Sequence, residues 1–171
     1  MPEDLIHAKN VKEWVQKIYP QASTALKIAA LAHDIERAFP DKKKQRKDYH
    51  DFNSFKKAHA CNSAQIAEEI LNSYSLNAIF KSRVQFLIEN HEFGKPGDKE
   101  LLALKEADAV SFFEVNLPFY FQRNTEEETY FRMQWGFERL SERGKKLVIN
   151  FHYLERTLHI LLKRCLEQNH R

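Results

Sequence analysis

The residues of this chain best suited to chemistry are four histidines and two aspartates: His7, His33 with Asp34, His59, His91 and Asp108. Neutral imidazoles together with easily ionised carboxylates form the nitrogen and oxygen environment preferred by first-row transition ions such as Fe, Mn, Co, Ni or Zn. The pair His33-Asp34 lies in "IAALAHDIERAFP" (28–40), where Glu36 and Arg37 follow within an Ala- and Leu-rich run. The dipeptide alone carries little weight. Eight His and seven Asp make one chance pair unsurprising, and His50-Asp51 in "KDYHDF" is a second one.

Helical wheels separate the two pairs. At about 100° per residue, Ile28, Leu31, Ile35 and Phe39 form one stripe, with His33, Asp34 and Arg37 on the opposite arc. Leu26, Ala29, Ala30 and Ala38 flank that arc, so it reads as enclosed. His7 stands in line with Val11, Trp14 and Ile18, His59 with Phe52, Phe55, Ile66 and Ile70, and His91 with Val84, Leu87 and Ile88. Asp108 sits among Leu101, Leu104, Phe112 and Val115. A lone inward histidine is more often a hydrogen-bonded core residue than a ligand, and Asp108 could instead accept an ion pair from Arg37. Several separate segments each aiming an ionisable group inward are a different matter. Burying an unpaired polar group costs on the order of 1 to 3 kcal/mol, so converging groups need a shared partner, which a metal cation supplies. His50-Asp51 sits in a basic polar loop and reads as surface, as do His152 and His159, which share a face with Arg156 and Lys163. His170 falls in the tail.

The elements that must position these groups are helices. Four Gly and five Pro punctuate 171 residues, and the apolar residues between them recur at helical spacing with no long alternation. The pattern predicts an all-α bundle of about seven helices over 4–18, 23–39, 53–73, 76–92, 99–116, 126–141 and 145–168. Pro20 and Pro40 end the first two, Ser75 is a candidate cap for the fourth, and Thr125 with Glu128 makes a capping box. Pro118 interrupts the aromatic stretch "FFEVNLPFYFQRN". The length fits a single domain. The formal charge of +3 is small, though five cations crowd into "KKKQRK" at 42–47. No apolar run reaches the roughly 18 residues of a spanning helix, and the acidic start lacks a secretory pattern; a cytoplasmic protein without membrane contact is expected. Cys61 and Cys165 form no C-x-x-C spacing and are expected to be reduced, buried thiols.

The order His7, His33-Asp34, His59, His91, Asp108 resembles the HD superfamily of metal-dependent phosphohydrolases. "LIHAKNVKEWV" is similar to its opening histidine helix, "ALAHDIER" to its signature pair and "LKEADAVSFFE" to its closing aspartate helix. "AHACNSAQIAEEIL" and "LIENHEFGKPGDKELLALKEAD" resemble the further histidine helices of members that bind two metals, including bacterial diadenosine tetraphosphate hydrolases. The chain departs from the cyclic-dinucleotide phosphodiesterases, with Asn90-His91-Glu92 in place of paired histidines. It departs from the alarmone hydrolases and small 5'-nucleotidases in having Arg37 where they carry an acid.

The resemblance implies an HD-like core over 1–118, with 119–171 as C-terminal helices packed on the same domain. It implies hydrolysis of a phosphomonoester, nucleotide or dinucleoside polyphosphate by metal-activated water. His7, His33, Asp34 and Asp108 would hold one ion, with Asp34 bridging to a second held by His59 and His91. The cofactor would be one or two divalent or trivalent transition ions, with Mg a further candidate. Asp34 and Arg37 would be catalytic, Arg37 would contact substrate phosphate with Lys95 or the 42–47 loop supplying further positive charge, and Glu92 could orient a histidine or serve a proton. The C-terminal helices could close the site or form a homo-oligomer interface. The rival expectation is a non-catalytic scaffold of the same fold that touches nucleic acid through the 42–47 loop.

Overall fold

A computed structural model describes residues 2–168, and among them every regular element is helical. They form two compact units, Met1–Ala107 and Asp108–Arg171.

In the first unit α1 (Pro2–Ile18) places Glu3 and Asp4 in its first turn and Lys17 in its last, complementing the helix dipole. Ser23 caps α2 (Thr24–Ala32), its side chain accepting from the Leu26 amide. The expected helix over 23–39 is therefore cut short. Beyond Ala32 the chain turns and makes a short 3-10 segment, Ile35–Ala38. The wheel is right that the His33 arc is enclosed, but not about the whole of the opposite stripe. Leu31 and Phe39 are about two-fifths exposed, whereas Leu26, Ala29, Ala30 and His33 are fully buried.

Asp51 caps α3 (Phe52–Asn72) by accepting from Ser54 N, so the second His-Asp pair has a structural task at the surface. Ile70, placed on the buried stripe by the wheel, is exposed. Asn77, not Ser75, caps α4 (Ala78–Asn90), accepting from Phe80 N at 2.7 Å. At the start of α5 (Lys99–Ser111) Asp98 takes the Leu101 amide and a bidentate pair from Arg83. Within this unit α3 packs on α4, and α2 packs on α1 and α4. Cys61 is half-buried, its thiol 3.6 Å from Glu89 Oε1, in place of the expected full burial.

In the second unit a π-helical turn, Phe112–Asn116, leads into α6 (Leu117–Phe121) at Pro118. Phe113 packs edge-on against Phe137 of α7 (Glu126–Glu138), and a Cβ at Gly136 would come within 3.3 Å of both Phe112 and Phe113. The aromatic segment is thereby grouped with the C-terminal helices, which puts the division between units before 118. The capping box of Thr125 and Glu128 is present. The last expected helix divides into α8 (Glu142–Val148) and α9 (Arg156–Gln168), leaving Leu154 exposed between them. Cys165 is buried, and both cysteines are free. His152 is exposed as expected, but His159 is half-buried and stacks on it at 5.4 Å. His170 lies outside the described residues. Among the described residues no helix is long and apolar enough to cross a membrane.

Candidate metal centre

Four elements of the first unit deliver donor atoms to one place. His7 comes from the second turn of α1 and is buried. His33 is the C-cap of α2, and its Nδ1 donates to the Ala30 carbonyl at 3.0 Å. His91 is the C-cap of α4 and repeats the arrangement, its Nδ1 donating to the Ile88 carbonyl at 2.7 Å. A carbonyl can only accept, so in the neutral rings Nδ1 carries the proton and Nε2 presents a lone pair. The two helix ends thus use the same local bond to aim an imidazole inward. His59 projects from the middle of α3 and is also buried.

The result is a cluster. His33 Nε2 lies 3.3 Å from His7 Nε2, and the His33 ring stands edge-on to His91 with centroids 5.1 Å apart. Asp34 Oδ1 is 2.6 Å from His59 Nε2, and Oδ2 is 2.8 Å from Arg37 Nη2. Among the donors of the first unit two groups result, His7 with His33 and Asp34, and Asp34 with His59 and His91. Within each, the ligand atoms lie within 4.8 Å of one another. Both groups could hold a metal ion, and Asp34 belongs to both.

The residues fit a cation on a further ground. His91 Nε2 is buried and has no hydrogen-bond partner; Glu92 Oε1 lies 3.5 Å away. An unsatisfied buried polar atom costs about 1 to 3 kcal/mol. A cation accepting the lone pair removes that cost.

The charges around Asp34 keep it ready to ligate. Burial alone would raise its carboxyl, but the Arg37 guanidinium and the His33 and His59 imidazoles hold it well below the usual range. His59 is held between two carboxylates, Asp34 on Nε2 and Glu36 on Nδ1, the latter also at 2.6 Å. Burial would lower its pKa, yet these two partners push it up to about 9. Glu36 is itself buried, and hydrogen bonds from His59 and Asn62 lower its carboxyl against the effect of burial.

Beside the cluster is a cavity of about 240 Å³ lined by Glu36, Arg37, Lys43, Phe55, Lys56 and His59. Arg37 reaches it while paired to Asp34 and to Asp4, the latter at 3.3 Å. Lys95 does not line this cavity. It borders a second hollow of about 590 Å³ next to Arg83 and Asp98, with its ammonium 5.7 Å from the Phe86 ring centre. Asp108 is carried, half-buried, on α5 and begins the second unit. Glu92 forms a buried ion pair with Lys56.

A family profile described as "Domain of unknown function (DUF4202)" matches residues 1–161, almost the whole of both units. The chain belongs to this family. No curated protein and no solved structure matches it.

Three residues of the site escaped the sequence reading. On a continuous helix Glu36 has no marked role, but it follows the break at Asp34 and turns back onto His59. Lys56 precedes His59 by three residues and shares its buried face, a spacing that could have identified it. Lys43 is visible in the sequence only as one of five cations in the 42–47 loop, a candidate source of charge for a phosphate with no single residue marked out.

Proposed function

We propose that the protein is a metal-dependent phosphohydrolase of HD type that acts on a small phosphorylated substrate: a phosphomonoester, nucleotide or dinucleoside polyphosphate. The observation that carries this reading is the pair of buried donor groups sharing Asp34. His7, His33 and Asp34 would hold one ion, with Asp108 assigned to it by the sequence pattern; Asp34, His59 and His91 would hold a second. Fe, Mn, Co, Ni or Zn suits these donors, with Mg as a further candidate. Ions so placed would acidify water and neutralise charge on the phosphoryl oxygens.

The chain's own residues supply the rest. The Nδ1 bonds of His33 and His91 to backbone carbonyls keep both Nε2 atoms pointed at the cluster. Glu36 does the same for His59 through its other nitrogen. Arg37 keeps Asp34 ionised and presents its guanidinium to the cavity, where a planar, permanently charged group suits a phosphate oxygen.

The scaffold reading requires the 42–47 loop to offer its cations to a polymer. Lys42 is paired with Glu69 at 2.8 Å, and Arg46 donates to the Tyr49 carbonyl at 2.7 Å, which favours the small substrate. A nucleic-acid scaffold would bind with steep salt dependence and survive chelation.

The test is metal analysis of protein purified without chelator, together with a phosphatase screen of nucleotides and dinucleoside polyphosphates. Asp34→Ala should reduce metal content and turnover by more than the roughly 10–100-fold typical of losing a residue that only orients a ligand. A variant that retains both metal and turnover refutes the proposal.

A further inference from the structure

The basic run at 42–47 is only partly accounted for by the pairs of Lys42 and Arg46. Its backbone is pinned beside the metal centre. Asn62 Nδ2 donates to the Lys42 carbonyl at 2.8 Å and also to Glu36, and the Lys44 amide donates to Glu36 Oε2 at 3.5 Å. Glu36 therefore holds His59 with one oxygen and the loop with the other. Pinned in this way, the loop puts Lys43 on the wall of the 240 Å³ cavity. Lys43 has no ion-pair partner among the described residues. Lys56 reaches the same cavity from α3, buried, its ammonium paired with Glu92. An ammonium has three donors, so this pair leaves others for a ligand.

We propose that Lys43 and Lys56 seat the terminal, dianionic phosphate of the substrate, which makes the group hydrolysed a phosphomonoester end and not an internal phosphodiester. This rests on the phosphohydrolase reading for its chemistry, though the anion seat stands on its own geometry. The lining carries Arg37, Lys43 and Lys56 against the single carboxylate Glu36, with His59 on the metal side and Phe55 as apolar wall. Arg37 and Lys56 are each paired with carboxylates that do not line the cavity, so Lys43 is the cation left for a ligand to neutralise, while Lys56 keeps further N–H donors for the same anion. The volume is below the roughly 300–1,000 Å³ of pockets that enclose a whole drug-sized ligand, so the enclosed part suits a phosphate head with the remainder of the substrate outside. A diester phosphate has one negative charge and two bulky substituents; a monoester dianion has two charges and one substituent, matching two ammonium groups in a narrow space. In the reaction the water oxygen bonds to phosphorus and the ester P–O bond breaks. The alcohol leaves with a proton from that water, and inorganic phosphate remains in the seat.

Calorimetric titration with inorganic phosphate tests the seat directly, on full-length protein with its metal and again after chelation. Lys43→Ala should weaken phosphate binding about tenfold, and Lys43→Glu further. Metal content should stay unchanged in both, and Lys47→Ala, from the same loop, should bind as wild type. In turnover, the Lys43 variants should raise KM for monoesters. Lys56→Gln should weaken phosphate similarly; if it fails to fold, Lys43→Glu decides. Phosphate binding that is absent in the wild type, or unaltered in a folded Lys43→Glu protein, overturns the proposal even if Asp34-dependent hydrolysis is found. Conversely, loss of the hydrolase reading leaves the phosphate titration to decide the seat alone.

Discussion

His59 has a carboxylate on each ring nitrogen, and this makes the proton it carries a competitor for metal. Its pKa stands at about 9 with the cluster as described, above the ordinary 6.5. A group whose pKa is raised on folding contributes stability that is complete below its unfolded value and is lost as pH rises through its folded value. Metal-free protein should therefore lose stability between about pH 6.5 and 9, on the order of a few kcal/mol, read by urea melts at fixed ionic strength. Glu36→Gln removes one of the two charges facing the ring, so its loss should start in the same range, end at lower pH and be smaller. A flat profile in the wild type would mean that the Asp34–His59–Glu36 chain does not form. Metal must displace the same proton, so affinity should increase with pH over this window.

Among the helices, what was legible in the sequence and what was not divides along a physical line. Apolar spacing located α1, α3, α4 and α7 closely, because their burial follows the helical period. It also turned His7 and His91 inward, where Val11, Val84, Leu87 and Ile88 are fully buried. Periodicity could not detect ends made by side chains. The bond from His33 Nδ1 to Ala30 O accompanies the close of α2, and the wheel had no means of seeing that Asp34 leaves the helix. The cap of α4 fell on Asn77 two residues after Ser75 for the same reason: a side-chain oxygen competes locally for an orphan amide. That cap offers a prediction. Asn77→Ala should destabilise the protein by about 1 kcal/mol in denaturant melts. The metal complement should be unaltered, because His91 sits at the opposite end of α4. Loss of metal without loss of stability would contradict this division of labour.

For the molecule as a whole, the centre joins parts of the chain that no local signal connects. His7, His33 with Asp34, His59 and His91 come from α1, the end of α2, α3 and the end of α4, so residues as far apart in sequence as 34 and 91 fall in one group of donors, and His7 in an adjoining group that shares Asp34. Their types and order were readable and implied that they converge, but the geometry of that meeting was not, since it depends on how α2 lies against α1 and α4. A ligand bound by the folded state alone stabilises by RT ln(1 + [L]/Kd), about 2.7 kcal/mol when it is present at 100 times Kd. Adding a suitable transition ion to chelator-treated protein should accordingly raise Tm by several degrees, with the rise growing as ion concentration increases. Hydrogen exchange should slow at the amides of the four elements that carry the donors. Asp34→Ala should abolish both responses, as it takes a ligand from both groups of the first unit, whereas His7→Ala removes one from a single group and should leave a reduced shift. Equal shifts in wild type and Asp34→Ala would place the binding ion elsewhere in the chain and separate this cluster from any metal the protein carries.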